Sequence, residues 1–181
     1  GFVLLYFFFF FSYVYWRKYA FYLFVGAILL TAAVFIPGLG FRHGGAMRWL
    51  SIGPLSFQPA EVLKIAFVIY FAGWLSWMKE KAQDMRFSVL PLIAMLSIIA
   101  LVLFRQPDTK SFLLMITAAL AMLIVYGISW KQLSVFILIA AMGLAGLLFT
   151  KPYLRERIMT FVNPSRDNLG SSYQLQQSLI A

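Results

Sequence analysis

The sequence contains no cysteine and one histidine, and only six of its 181 residues are acidic. The missing thiols exclude a disulfide scaffold and any thiolate-held zinc or iron–sulfur centre. A lone histidine leaves little for a histidine-ligated metal. Charged residues make up 12% of the chain, about half of what a soluble domain carries. Disorder is excluded as well, because it requires low hydrophobicity and high charge. No G-x-x-x-x-G-K phosphate loop, HExxH helix or Ser/His/Asp set is written in the sequence, so the common nucleotide, zincin and serine-hydrolase chemistries have no motif to rest on.

What is present is apolar. Hydrophobic residues account for 62% of the chain and mean hydropathy is +0.86. Alternating ten-residue strands of the barrel type are absent, which leaves helices as the spanning element. The expected fold class is an all-α integral membrane protein, a polytopic helix bundle. A spanning helix needs roughly 20 mostly apolar residues. The pattern predicts a partial span at 1–15 and full spans at 20–36, 60–78, 88–104, 111–130 and 133–149. Pro37-Gly38 closes the first full span, and Pro59 opens the next where its missing N–H costs nothing. Gly127 and Trp130 mark the end of the 111–130 span, with Trp at interface depth. Residues 1–149 thus form the membrane region, and 150–181 begin a large loop outside it. Gly1 leads directly into a Phe-rich run without Met or a charged start, and the last residues form neither a polar tail nor a finished helix. We read the chain as an internal piece of a longer protein, without a signal peptide.

The net charge is +9. The cations sit between apolar runs and form no stripe, so nucleic acid is not the expected partner. Counted by side, one set of short loops holds Arg17, Lys18, Lys79, Lys81, Arg86 and Lys131. The other set holds Arg42, Arg48, Arg105 and Lys110, and the tail adds Lys151, Arg155, Arg157 and Arg166. The positive-inside rule places the first set in the cytoplasm. The far side then carries more cations than topology requires, which favours an anionic substrate there.

Polar residues intrude at span ends. Glu61 and Lys64 stand three apart after Gln58-Pro59 and share a helix face within the first two turns of a span. Ionisable groups at that depth are expensive and mark a site or a pathway, and the helix N-terminus suits an anion. The alternative is an interfacial pair with Lys64 reaching outward. The loop before them, 37–59, reads as a segment lying in the interface. Within it Gly44-Gly45 permits close backbone approach. Arg48 beside Trp49 offers either a planar fork for phosphate or an ordinary interfacial anchor. His43 is read as a loop residue. Asp108 is read as a helix cap that accepts from the N–H groups of Thr109 and Lys110. The tail is amphipathic and basic, as an interfacial helix and loop would be.

Three blocks together carry a family resemblance. The run GGAMRWLSIGPLSFQPAEVLK from Gly44 to Lys64 resembles the signature of the SEDS proteins (shape, elongation, division and sporulation). The QPD at 106–108 follows in family order. So does the tail pattern of Tyr153, Arg157, Phe161, Pro164, Asp167, Gly170, Tyr173-Gln174 and Gln177-Ser178. The Gly-Gly before Arg48 and the IGP after it lean towards the division, FtsW-like type over the elongation, RodA-like type.

The resemblance implies a multi-pass protein of the bacterial cytoplasmic membrane. Its implied activity is peptidoglycan glycosyl transfer, polymerising lipid II into glycan strands at the outer face in cell division or elongation. A class B penicillin-binding protein, a transpeptidase, is the implied partner. Arg48, Glu61 and Lys64 match polar positions of the family's outward cavity, and Gln58 and Asp108 match further signature positions. These five are the implied substrate-binding residues. The catalytic aspartate is implied beyond Ala181, so residues 1–181 alone would be inactive, and Asp167 matches a different, earlier aspartate. Thr109-Lys110-Ser111 departs from the usual Leu-Gly-Thr/Ser and puts the local helix start in question. The cofactor is unknown, with a divalent cation beside Glu61 left open. The competing functions are a lipid II flippase and a non-catalytic scaffold that recruits a transpeptidase.

Overall fold

A computed structural model describes residues 2, 6, 9, 10, 12–43, 46–52, 55–78, 81, 84–150 and 155; at 41–43, 46, 52, 55 and 150 it describes the backbone alone. The chain divides into two compact units, Gly1–Leu133 and Ser134–Ala181. Among the described residues five helices follow one another: α1 (Tyr13–Ala32), α2 (Pro59–Met78), α3 (Val89–Leu103), α4 (Thr109–Tyr126) and α5 (Trp130–Thr150). Three short strands lie between α1 and α2: β1 (Gly40–His43), β2 (Ala46–Ile52) and β3 (Leu55–Phe57). Among the described residues, four helical segments can cross a membrane by length and composition: Tyr13–Phe35, Pro59–Met78, Thr109–Tyr126 and Trp130–Phe149. Helix α3 has 15 residues, about 22 Å at the α-helical rise, against a hydrocarbon core of about 30 Å.

Helix α1 begins at Tyr13, where the Ser12 hydroxyl accepts from the Val14 N–H at 3.4 Å. Arg17 and Lys18 therefore lie in its first two turns and not in the loop expected before residue 20. A serine at the N-cap satisfies one of the amides that a helix start leaves open, and this outweighs the two cations that follow. Of the expected 1–15 span, only residues 2, 6, 9, 10 and 12–15 are described.

In the first unit α2 packs against α1 and α4, and α3 packs against α1 and α4. Ala20, Phe24, Ala27 and Thr31 recur along one face of α1, and Leu63, Ala66, Phe67, Phe71 and Leu75 along α2; all are buried. Phe24 stacks on Tyr70 with centroids 5.0 Å apart, and Phe67 stacks on Phe71 at 5.9 Å. The outer faces are also apolar. Leu101 is 72% exposed and Val125 88%, as expected where the surroundings are lipid.

The 37–59 segment is a sheet in the order β1-β2-β3, antiparallel throughout, where the sequence led us to expect an interfacial segment. Gly40 pairs with Leu50, and Leu50 pairs with Phe57. A bulge falls between Phe41 and Arg42. Gly40 is required, because a Cβ there would stand 1.9 Å from the Val34 carbonyl oxygen. Among the described residues the bundle reading is thus joined by one small sheet at its end.

Helix α4 ends at Tyr126, with Gly127 at φ 80°. The Gly127 N–H donates to Ile124 O at 3.0 Å and the Ile128 N–H to Leu123 O at 3.4 Å, the Schellman pattern that glycine permits. Trp130 then opens α5 and does not close the preceding span as expected. In the second unit the Arg155 Nε donates to Leu148 O at 3.0 Å, and its guanidinium lies over the Phe149 ring at 5.6 Å. Gly44-Gly45 and the tail pattern from Tyr153 to Ser178, Asp167 included, lie outside the described residues.

Candidate functional site

One end of the first unit concentrates the polar residues. Arg48 and Leu50 share a face of β2, since strand side chains alternate. Leu50 is buried. The Arg48 Nε donates to Gln106 O at 2.9 Å, and Nη2 donates to Pro107 O. The planar fork is therefore engaged by two carbonyls of the turn between α3 and α4. These carbonyls fall just past a helix end, where intrahelical partners run out. Arg48 acts here as a clamp between sheet and turn.

Asp108 is 3% exposed and caps α4. Its Oδ1 accepts from the Ser111 N–H at 3.3 Å, and its Oδ2 accepts from the Ser111 hydroxyl at 2.7 Å. The expected cap is present, and the amide it accepts from is that of Ser111, the third residue of the helix. That is the usual reach of an N-cap side chain. Helix α4 begins at Thr109 despite Lys110. Oδ2 also accepts from Gln58 Nε2 at 3.0 Å. Gln58 directly precedes α2, and its own carbonyl accepts from the Glu61 N–H at 3.0 Å. Asp108 thereby joins the starts of α2 and α4.

Gln106 was not singled out for a role in the sequence, yet it is central. It is 1% exposed, and its Nε2 donates to Thr31 O at 2.6 Å near the end of α1. Its Oε1 is buried without a hydrogen-bond partner, a costly state unless water reaches it. A glutamine two residues past an apolar span was the available signal. Its contact with residue 31 depends on tertiary packing and has no local signature.

Glu61 and Lys64 form a second group, an ion pair at 2.7 Å on the first turns of α2. The Glu61 side chain is 60% exposed and that of Lys64 21%. Exposure at this level screens the attraction, so the pair adds little to stability. The structure thus joins Arg48, Gln58 and Asp108 through one turn, and joins Glu61 to Lys64 on one helix face. Among the described residues no group of three or more His, Cys, Asp or Glu could hold a metal ion. The Glu61 carboxylate faces an ammonium, which is a poor start for a cation site.

A family profile described as "cell cycle protein", covering FtsW, RodA and SpoVE, matches residues 1–181. The protein named "Probable peptidoglycan glycosyltransferase FtsW" of Saccharophagus degradans is 38% identical over 92% of this chain and 43% of its own length. Its namesake in Aromatoleum aromaticum is 34% identical over 92% of this chain and 40% of its own length. The chain therefore spans less than half of these relatives. Among solved structures, one described as a peptidoglycan synthase complex coordinating polymerization and crosslinking superposes with a TM-score of 0.74 at 29% identity, covering 95% of this chain and 50% of that one. The rod shape determining protein RodA of Thermus thermophilus superposes at 0.62 with 26% identity, covering 78% of this chain and 46% of that one. Matched along its whole length, and built of apolar helices with a polar cluster at one end, the chain belongs to the FtsW/RodA/SpoVE (SEDS) family of multi-pass membrane proteins and is FtsW-like within it.

Proposed function

We propose that the protein of which this chain forms part is a peptidoglycan glycosyltransferase of the bacterial cytoplasmic membrane. It polymerises lipid II into glycan strands at the outer face, beside a class B penicillin-binding protein that crosslinks them. The observation that carries this reading is the hydrogen-bonded polar cluster at one end of a bundle of apolar helices. Arg48, Gln58 and Asp108 bind the sheet and the start of α2 to the turn before α4, and the Glu61/Lys64 pair stands on the adjoining turns of α2.

The division of labour follows from these bonds. Transfer breaks the bond between a sugar and its lipid pyrophosphate while an acceptor hydroxyl forms the new one. Negative charge grows on the departing pyrophosphate, and a fixed cation lowers that barrier. Lys64 is the cation for this role. An ammonium has three donors, so its pairing with Glu61 leaves capacity for phosphate oxygens. Glu61 holds the ammonium in place. Arg48 is a positioning residue, because its fork is engaged by the 106–107 carbonyls. No residue of 1–181 is assigned as the base that takes the acceptor proton.

The test uses purified full-length protein and lipid II with no other polymerase present. Glycan strands are the expected product, and their absence would favour a flippase or a scaffold. Lys64→Ala is expected to lower kcat about 100-fold, the scale of losing one transition-state donor. Unchanged turnover and lipid II affinity in that variant would remove Lys64 from the mechanism.

A further inference from the structure

The far end of the first unit carries a second concentration of charge that glycosyl transfer does not use. Two grooves flank Trp74 and Trp77 near the end of α2. One, of about 330 Å³, is lined by Arg17, Lys18, Phe21, Tyr70 and Gly73 as well as the two tryptophans. The other, of about 740 Å³, adds Met78, Lys81, Arg86, Phe87 and Pro91. The indoles meet edge to face at 5.8 Å. Trp74 Nε1 donates to Phe87 O at 3.0 Å, which ties the α2–α3 connection to the helix. Trp77 is 65% exposed.

Positive-inside topology asks only for cations in the loops. Here Arg17 and Lys18 lie on α1 itself, and they line the same groove as the tryptophans. The Arg17 side chain passes close to Gly73, its Cγ within ordinary van der Waals distance, 3.9 Å, of where a Cβ would stand. The Lys81 ammonium lies 5.9 Å from the centroid of the Phe87 ring. Among the described residues, the carboxylate beside these cations is Asp84, whose Oδ1 accepts from the Arg86 N–H at 2.9 Å.

We propose that this end binds one anionic phospholipid of the adjoining leaflet. Its phosphate would sit beside Lys81 and Arg86 in the larger groove, with an acyl chain along Trp77, Met78 and Pro91, while Arg17 and Lys18 add positive charge from the neighbouring groove that shares Trp77. Basic pockets between spanning helices on the cytoplasmic side favour anionic headgroups, and Trp favours the same depth. The apolar walls give a lipid more contact than a free phosphate could use.

The experiment reconstitutes full-length protein in nanodiscs of phosphatidylcholine and phosphatidylglycerol, and counts retained lipid by native mass spectrometry. Phosphatidylglycerol is expected to be retained over phosphatidylcholine. Arg17→Ala and Arg86→Ala should each lower retention about fivefold, the factor for about 1 kcal/mol per cation. Trp77→Ser keeps every cation and should also lower retention. The double variant Arg105→Ala/Lys110→Ala removes two cations at the other end and should leave it unchanged. Equal retention of both lipids would overturn the proposal. So would an equal loss in the Arg105/Lys110 variant, or displacement of the lipid by inorganic phosphate alone.

Discussion

Arg48 makes two bonds side by side, because the nearly parallel Nε–H and Nη2–H of its planar fork meet two successive carbonyls. A lysine has one terminal nitrogen and cannot reproduce that fork. Arg48→Lys should therefore cost about 1.5–3 kcal/mol, one charge-assisted bond. Thermal unfolding of the full-length protein in detergent would read this loss. Asp108 accepts from Gln58 and Ser111 at once. Asp108→Asn keeps a capping oxygen, whereas Asp108→Ala removes it, at about 1 kcal/mol for the cap alone. The alanine variant should unfold at the lower temperature of the two; the reverse order would show that capping is not the main role. A Gly40→Ala change would drive a Cβ into Val34 O, so the start of β1 must shift, and a marked fall in melting temperature is expected.

Helix α4 is bounded by Asp108 at one end and Gly127 at the other. Moving a non-glycine residue to φ 80° costs about 1 kcal/mol or more. Gly127→Ala should speed amide exchange at 123–128 with little change in the core of α4, as hydrogen exchange would measure. Such helix ends were legible in the sequence wherever proline or glycine punctuated them. Other boundaries were not. The start of α1 lay hidden because Ser12 is a small interruption in an apolar, aromatic-rich run from Phe2 to Trp16, and the Arg17-Lys18 pair after it reads as a loop. The small sheet escaped because its strands are three to seven residues long, too short to separate alternation from chance. The buried faces were equally illegible, since Ile99 at 0% and Leu101 at 72% exposure are the same kind of residue. For the site, the residue types and the cap could be read, but the pairing of Arg48 with residues 58 and 59 positions away could not. Contacts of that range come from packing.

Across the whole molecule, Ser51 on β2 and Asp84 beyond the end of α2 are both exposed and are separated by one long apolar helix. They should therefore lie on opposite sides of the membrane. With no cysteine in 1–181, single-cysteine variants of a full-length protein cleared of other thiols can report this. Ser51→Cys should react with an impermeant maleimide on intact spheroplasts, and Asp84→Cys only after permeabilisation. Reaction of both from one side would break the bundle topology. The same molecule contains one helix, α3, that stops about 8 Å short of the hydrocarbon thickness. A shortfall of that size must be met by a locally thinner bilayer or by irregular backbone held below the headgroups. Such backbone survives at depth only where protein groups claim its carbonyls. The turn after α3 meets that condition, with Leu103 O taken by two amides and the Gln106 and Pro107 oxygens taken by Arg48. Hydrophobic mismatch thus gives the clamp a second consequence: by taking the Gln106 and Pro107 oxygens, Arg48 lets irregular backbone stand where the short α3 leaves the span unfilled.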